Sequence, residues 1–206
     1  MKPTVIGEHG SVISQVDTAC NALTRPRHRL ADARSVVPDQ AGLYAIYGMR
    51  ETWHQLGLGD PADDRPLYVG KAEQSLVTRD LNTHFRPGRT GQSTVRRTFA
   101  ALLRDQLGLR GIPRNQQNPE RPANFALNRE HDAALQDWID ARIELAVWAK
   151  PVDCTNLGAV EVGVIGRWVP PLNLKDNTST WSATVSAARR VMAEDARAWI
   201  VSRRSS

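Results

Sequence analysis

Cysteine is nearly missing from this chain: Cys20 and Cys154 are the whole supply. Neither sits in a Cys-x-x-Cys pair, so a disulfide framework and a zinc knuckle are excluded, and both thiols read as small core hydrophobes. Long apolar runs are missing too. Nothing approaches the ~18 residues that cross a bilayer. The first residues, with Gly7 and Glu8, lack the unbroken apolar core of a secretory leader, which leads to the expectation of a cytoplasmic protein without membrane contact. The fingerprints of nucleotide enzymes are absent. Gly57-Leu58-Gly59 has no third glycine and runs into Asp60-Pro61, and Gly70-Lys71 lacks the rest of a P-loop. No His-Glu-x-x-His occurs, and no glutamate has a lysine two positions on, so the common Glu-x-Lys nuclease arrangement is excluded as well.

What is present supports one domain. The 206 residues are 41% hydrophobic, enough for a core and too much for general disorder. Charge is unevenly spread. The net charge is +5, yet Ser75 to Arg114 alone carries Arg79, Arg86, Arg89, Arg96, Arg97, Arg104, Arg110 and Arg114 against only Asp80 and Asp105. A block of arginines is the electrostatic footprint of a polyanion partner, because the planar guanidinium forks onto phosphate oxygens. The plain alternative is a solvated basic face.

Element signals come in the order of a small mixed fold. Asp17 is placed to cap a short helix through Leu23. Gly42 to Gly48 and Pro66 to Lys71 read as strands, joined by a polar hairpin connection over 49–65. A helix capped by Ser75 runs to Phe85, and another from Ser93 or Thr94 to about Leu107. Residues 108–128, rich in Pro, Asn, Gln and Gly, read as a functional loop. Helices over 129–141 and 156–168, a strand over 143–149 and an amphipathic C-terminal helix over 181–201 complete the chain.

Three features ask for a joint explanation. All three tyrosines, Tyr44, Tyr47 and Tyr68, fall on the first two strands, two of them beside glycines. Lys71 and Arg79 follow closely. Glu161 aligns with Leu157, Ile165 and Trp168 at helical spacing, a carboxylate in an apolar stripe, which is costly unless it meets a cation. Taken singly, a strand tyrosine is ordinarily core and a stray glutamate ordinarily solvated.

Together with their spacing these residues resemble the GIY-YIG nuclease superfamily. Gly42-Leu43-Tyr44 and Tyr68-Val69-Gly70 match its name motif and Lys71 the lysine after it. Ser75-Leu76-Val77-Thr78-Arg79 matches its helix motif, Glu161 its later glutamate, and Pro171-Leu172-Asn173 its Pro-Leu-Asn. The gap between the tyrosine motifs is longer than in minimal members, and His84 falls five residues after Arg79 where the family places a His or Tyr four after. An elaborated single-domain chain of this kind looks most like the family's stand-alone type II restriction endonucleases.

The resemblance implies an α+β fold: a small antiparallel three-stranded sheet flanked by helices, with an N-terminal arm, a basic helical and loop insertion, and a C-terminal helix. It implies a core over about 42–174 within a single domain of 1–206, a DNA-binding insertion over about 86–130, and a helical extension over 175–206. It implies hydrolysis of duplex DNA with Mg2+ or Mn2+, by a chain that could act as a homodimer. Catalytic residues would be Tyr44, Tyr68, Lys71, Arg79 and Glu161, with Asn173 bracing the site, His84 in support and Glu161 as the metal ligand. Which tyrosine is the base stays open. Arg86, Arg89, Arg96, Arg97, Arg114, Asn115 and Gln116, with Gln117 and Asn118, are of the right type to contact DNA. Competing readings are a structure- or single-strand-specific nuclease for DNA or RNA, an inactive DNA-binding module on the same fold, and a helical regulator using residues 93–107.

Overall fold

The central strand is hidden on both sides, and that decides the architecture. In β2 (Gly42–Gly48), residues Leu43 to Tyr47 are all buried, as a strand with cover on both faces must be. Leu43, Ala45 and Tyr47 enter one cluster of buried side chains, and Tyr44 and Ile46 enter another. The computed structural model describes residues 7–117, 122–175, 177 and 179–204, the side chains of 7–11, 34, 79–81 and 204 excepted. Among the described residues no helix is long and apolar enough to cross a membrane.

The sheet is antiparallel, in the order β1-β4-β2-β3. β3 (Tyr68–Ala72) pairs with one side of β2 and sets Tyr44 opposite Gly70. β4 (Ile143–Ala149) lies on the other side, and β1 (His28–Arg29) adds a two-residue edge beyond it. The expected three strands are thus β2, β3 and β4, with a fourth too short to leave a period-two pattern. Helices α1 (Gly7–Thr24) and α6 (Leu157–Trp168) cover one face. The other carries α2 (Leu30–Val36), α3 (Arg50–Gln55), α4 (Thr94–Leu102), α5 (Arg129–Arg142) and α7 (Ser182–Arg204).

Several expectations need correction. The N-terminal segment is not an arm: α1 packs Val16, Ala19, Cys20 and Leu23 onto the sheet. Asp17 does not cap it but lies inside it, paired with Arg167 at 2.6 Å. The 49–65 connection contains α3, whose Trp53 is buried. The helix expected from Ser93 or Thr94 to about Leu107 stops at Leu102. The 108–128 segment is pinned by an isolated antiparallel bridge between Ile112 and Ala126, with Leu109 and Phe125 buried beside it.

One irregularity matters for function. The run after Ser75 is a π-helix, Val77–His84, begun by the Ser75 hydroxyl, which accepts from the Thr78 N–H (3.0 Å). A π-turn bonds residue i to i+5, so it absorbs one extra residue. The five-residue step to His84, which looked out of register in the sequence, is what this winding accommodates.

Candidate active site

The site wraps around the free edge of the sheet. Because β3 is an edge strand, alternate residues deliver side chains from opposite faces to one opening. Tyr68 leans with Tyr44 toward the α4–α5 face, while Lys71, of opposite parity, leans toward α6 and Glu161. A cavity of about 520 Å³ is lined by Tyr44, Tyr68, Lys71, Glu73, Ser75 and Glu161, among others.

Tyr44 crosses over β3 at Gly70. A Cβ on Gly70 would collide with the Tyr44 ring and with Tyr68 Cε1, which is why this position takes the one residue without a Cβ. The two tyrosine rings lie 6.1 Å apart. Tyr44 Oη is 2.7 Å from His84 Nε2, and His84 Nδ1 is 2.6 Å from Ser93 Oγ. Ser93 Oγ also accepts from the Arg96 N–H at 3.1 Å, so one hydroxyl caps α4 and holds the histidine. His84 is 1% exposed.

Lys71 Nζ sits 2.6 Å from Glu73 Oε1 and 3.9 Å from Glu161 Oε2. Glu73, followed by Glu161, holds its ammonium above the ordinary lysine range, so Lys71 is a fixed positive charge at neutral pH and not a base. The Glu161 side chain is 20% exposed. The apolar stripe of α6 is Leu157, Val160, Val164 and Ile165, and Glu161 borders it rather than interrupting it, facing the opening. Among the described residues no cluster of three or more His, Cys, Asp or Glu could hold a metal. A carboxylate facing an open cavity, as Glu161 does, suits Mg2+, which keeps several waters. Arg79 lies on the π-helix, and its side chain is outside the described residues.

Asn173 does not face the cavity. Its Oδ1 accepts from the Val69 N–H (2.9 Å) and its Nδ2 donates to the Val69 carbonyl (2.8 Å). Leu172 N–H donates to the Leu67 carbonyl at 3.0 Å. Leu172 and Asn173 therefore satisfy backbone groups that an edge strand leaves open. Tyr47, the third tyrosine, is structural: its hydroxyl donates to the Leu23 carbonyl (2.9 Å), and Arg27 stacks on its ring at 3.6 Å. Burial raises its pKa far above the usual phenol value.

The basic block divides sharply. Arg96 is fully buried, with Nη2 3.0 Å from Asp132 Oδ2 and Nη1 2.6 Å from Gln136 Oε1, so it cannot reach a duplex and its expected DNA contact is corrected. Asp132 further accepts from the Gly88 N–H and the Thr90 hydroxyl. Arg97 is also buried, 7% exposed, so it is no surface contact either. Arg104 forks onto Asp195 with two 2.9 Å bonds. Counting charge in a window of sequence missed Asp132 and Asp195 because both lie far along the chain. Arg86, Arg114, Asn115, Gln116 and Gln117 are exposed, and Arg89 donates to Gln92 (2.8 Å). Asn118 lies outside the described residues.

Two residues near the site escaped sequence reasoning. Ser93 was read only as a helix start. Arg189, half-buried on α7, lies close enough to Tyr68 for the tyrosine's charge to act on it. Its signal was there: Val185, Arg189, Met192 and Ala196 share one helical face, a charge in an apolar stripe.

The model of the GIY-YIG catalytic domain matches residues 60–191, a span that holds Tyr68, Lys71, Arg79, Glu161 and Asn173 and begins after the Gly42-Leu43-Tyr44 motif. Among curated proteins and among solved structures nothing matches the chain. With well over half its length matched and both tyrosine motifs paired across one sheet edge, the chain belongs to the GIY-YIG family of nucleases.

Proposed function

We propose that this protein is a divalent-metal-dependent endonuclease that hydrolyses phosphodiester bonds of duplex DNA, acting as a stand-alone restriction enzyme. The observation that carries this reading is the gathering of Tyr44, Tyr68, Lys71 and Glu161 around one open cavity at the sheet edge. Glu161 would hold the Mg2+ or Mn2+ ion, which when bound supplies Lewis-acid stabilisation of the charge that builds on the phosphate and leaving oxygen. Lys71 and Arg79 would present fixed positive charge to the nonbridging oxygens.

The two tyrosines take different roles in this reading. Tyr44 is the base that receives the proton of the attacking water, and His84 Nε2, at 2.7 Å, accepts the tyrosine's own proton. That route requires Nε2 to be bare, which follows if Nδ1–H donates to Ser93 Oγ. Tyr68 orients the phosphate. The exposed Arg86, Arg114, Asn115 and Gln116 contact the duplex.

The test is incubation of wild type and Glu161→Gln with plasmid, linear duplex, single-stranded DNA and RNA, in Mg2+ or EDTA. Wild type is expected to cut duplex DNA only with Mg2+, and Glu161→Gln to fold and bind without cutting. Cleavage by Glu161→Gln at the wild-type rate removes the metal assignment, and cutting confined to single strands or RNA moves the substrate class.

A further inference from the structure

Adjacent arginines of α4 are both buried, and only one has a counter-ion. Arg96 has Asp132. Arg97 has neutral partners: Nη1 donates to the Gly91 carbonyl (2.9 Å) and Nη2 to Thr94 Oγ1 (3.3 Å), while its Nε is buried with no acceptor. Among the described residues no carboxylate forms an ion pair with Arg97, Arg114 or Arg189. The charges that act on Arg97 are positive. Burial first, then Arg189 and Arg114, push its guanidinium down to about 10.

These three arginines converge from separate parts of the chain. The stem of Arg114 packs on Gly91, whose missing Cβ would lie 2.9 Å from Arg114 Cγ, and Gly91 is the residue whose carbonyl Arg97 grips. Arg189 comes from α7, which packs along α4, and lies close enough to Tyr68, a residue of the cavity wall, for the tyrosine's charge to act on it. Burial is graded: Arg97 is inside, Arg189 is half-covered and Arg114 is exposed. Like charges gathered in a partly dry site, without an anion, oppose folding. An anion arriving from the Tyr68 side removes that opposition, and guanidinium forks suit a tetrahedral oxyanion with several acceptors.

We infer that Arg97, Arg114 and Arg189 form a phosphate-binding site beside Tyr68 that holds a nucleic-acid backbone phosphate neighbouring the scissile one. This rests on the nuclease reading for the identity of the ligand, though not for the presence of an anion site. Arg189 and Arg114 make the contacts, and Arg97 supplies charge from behind them. The C-terminal helix thereby becomes part of the substrate path.

The site is tested first without nucleic acid. Thermal unfolding of wild type, Arg189→Gln and Arg114→Gln is followed in inorganic phosphate and in chloride at matched ionic strength. Wild type is expected to gain several degrees from phosphate beyond chloride, and both variants to lose most of that gain. Arg114 is exposed, so Arg114→Gln folds even where Arg189→Gln does not. Binding of a duplex in Ca2+ is then measured against salt. Each variant is expected to bind about tenfold more weakly, with a salt slope flatter by about one ion. Phosphate protection no greater than that of chloride overturns the anion site. Protection combined with unchanged duplex affinity in both variants overturns its assignment to the nucleic-acid backbone. If wild type neither binds nor cuts any nucleic acid, the nuclease reading fails, while the phosphate arm still reports on the cluster by itself.

Discussion

His84 and Ser93 stand on either side of the loop between the π-helix and α4, and their side chains meet at 2.6 Å, Nδ1 to Oγ. This contact joins the end of the π-helix to the start of α4. Behind Ser93, the Arg96 guanidinium reaches the His84 carbonyl (3.4 Å) and Gln136 donates to the Phe85 carbonyl (3.3 Å). The start of α4 therefore fixes both the ring and the backbone of the residue that touches Tyr44.

Ser93→Ala is expected to remove the cap of α4 and the partner of Nδ1 together. The stability loss should be about 1–2 kcal/mol by urea unfolding. The cleavage rate should fall further than that loss explains, and its pH profile should change shape. With Nδ1 no longer held, the tautomer that leaves Nε2 bare is no longer enforced. Ser93→Thr, which keeps the hydroxyl, should restore most of both. A pH profile identical to wild type in Ser93→Ala would leave Ser93 with a capping role alone.

For Tyr44→Phe and Tyr68→Phe the losses should be unequal, and the larger should belong to Tyr44. Wild-type cleavage should rise with pH as the base form of the Tyr44 pair becomes populated. In Tyr44→Phe the residual rate should lose this rise. Full activity in both phenylalanine variants would show that neither hydroxyl takes part.

Gly70→Ala probes the same tyrosine by steric means. The added methyl meets the Tyr44 ring, so the ring must move away from His84. An overpacking cost of about 1–3 kcal/mol is expected in stability, with cleavage reduced nearly as far as in Tyr44→Phe and duplex affinity little changed.

Asp132→Ala should be among the most damaging single changes in the chain. It strands the fully buried Arg96 and removes an acceptor from Gly88 and Thr90, at a cost of about 3–5 kcal/mol. A double-mutant cycle with Arg96→Met should recover much of that loss. Arg96 substitutions should lower stability without flattening the salt dependence of DNA binding, the reverse of what its place in the basic block suggested.

Much of this was legible in the sequence, and the exceptions share a cause. The strand Ile143–Ala149 and the helix Arg129–Arg142 declare themselves because period, cap and breaker agree. Glu161 and the tyrosines could be singled out because each breaks a local rule: a carboxylate beside an apolar stripe, aromatics beside glycines. Arg96 misled because its environment is made by Asp132 and Gln136, dozens of residues away. The two-residue β1 and the six-residue α3 are too short to carry a period and exist by packing. The π-winding at His84 has no pattern to betray it, since one inserted residue looks the same whether it bulges, loops or shifts the register.

The bridge between Ile112 and Ala126 has an evolutionary reading. It clamps the two ends of a loop whose near arm, Arg114 to Gln117, is exposed, while the stem beneath is locked to the C-terminal helix by Arg104 with Asp195 and by Gly111 against the Met192 backbone. Asn115 to Gln117 can therefore be exchanged without disturbing the stem, whereas the stem and the Pro122–Phe125 arm, which packs on α7, cannot be lifted out without that helix. Divergence in what such a protein recognises is expected to gather in that loop, and the helices around it to change together or not at all.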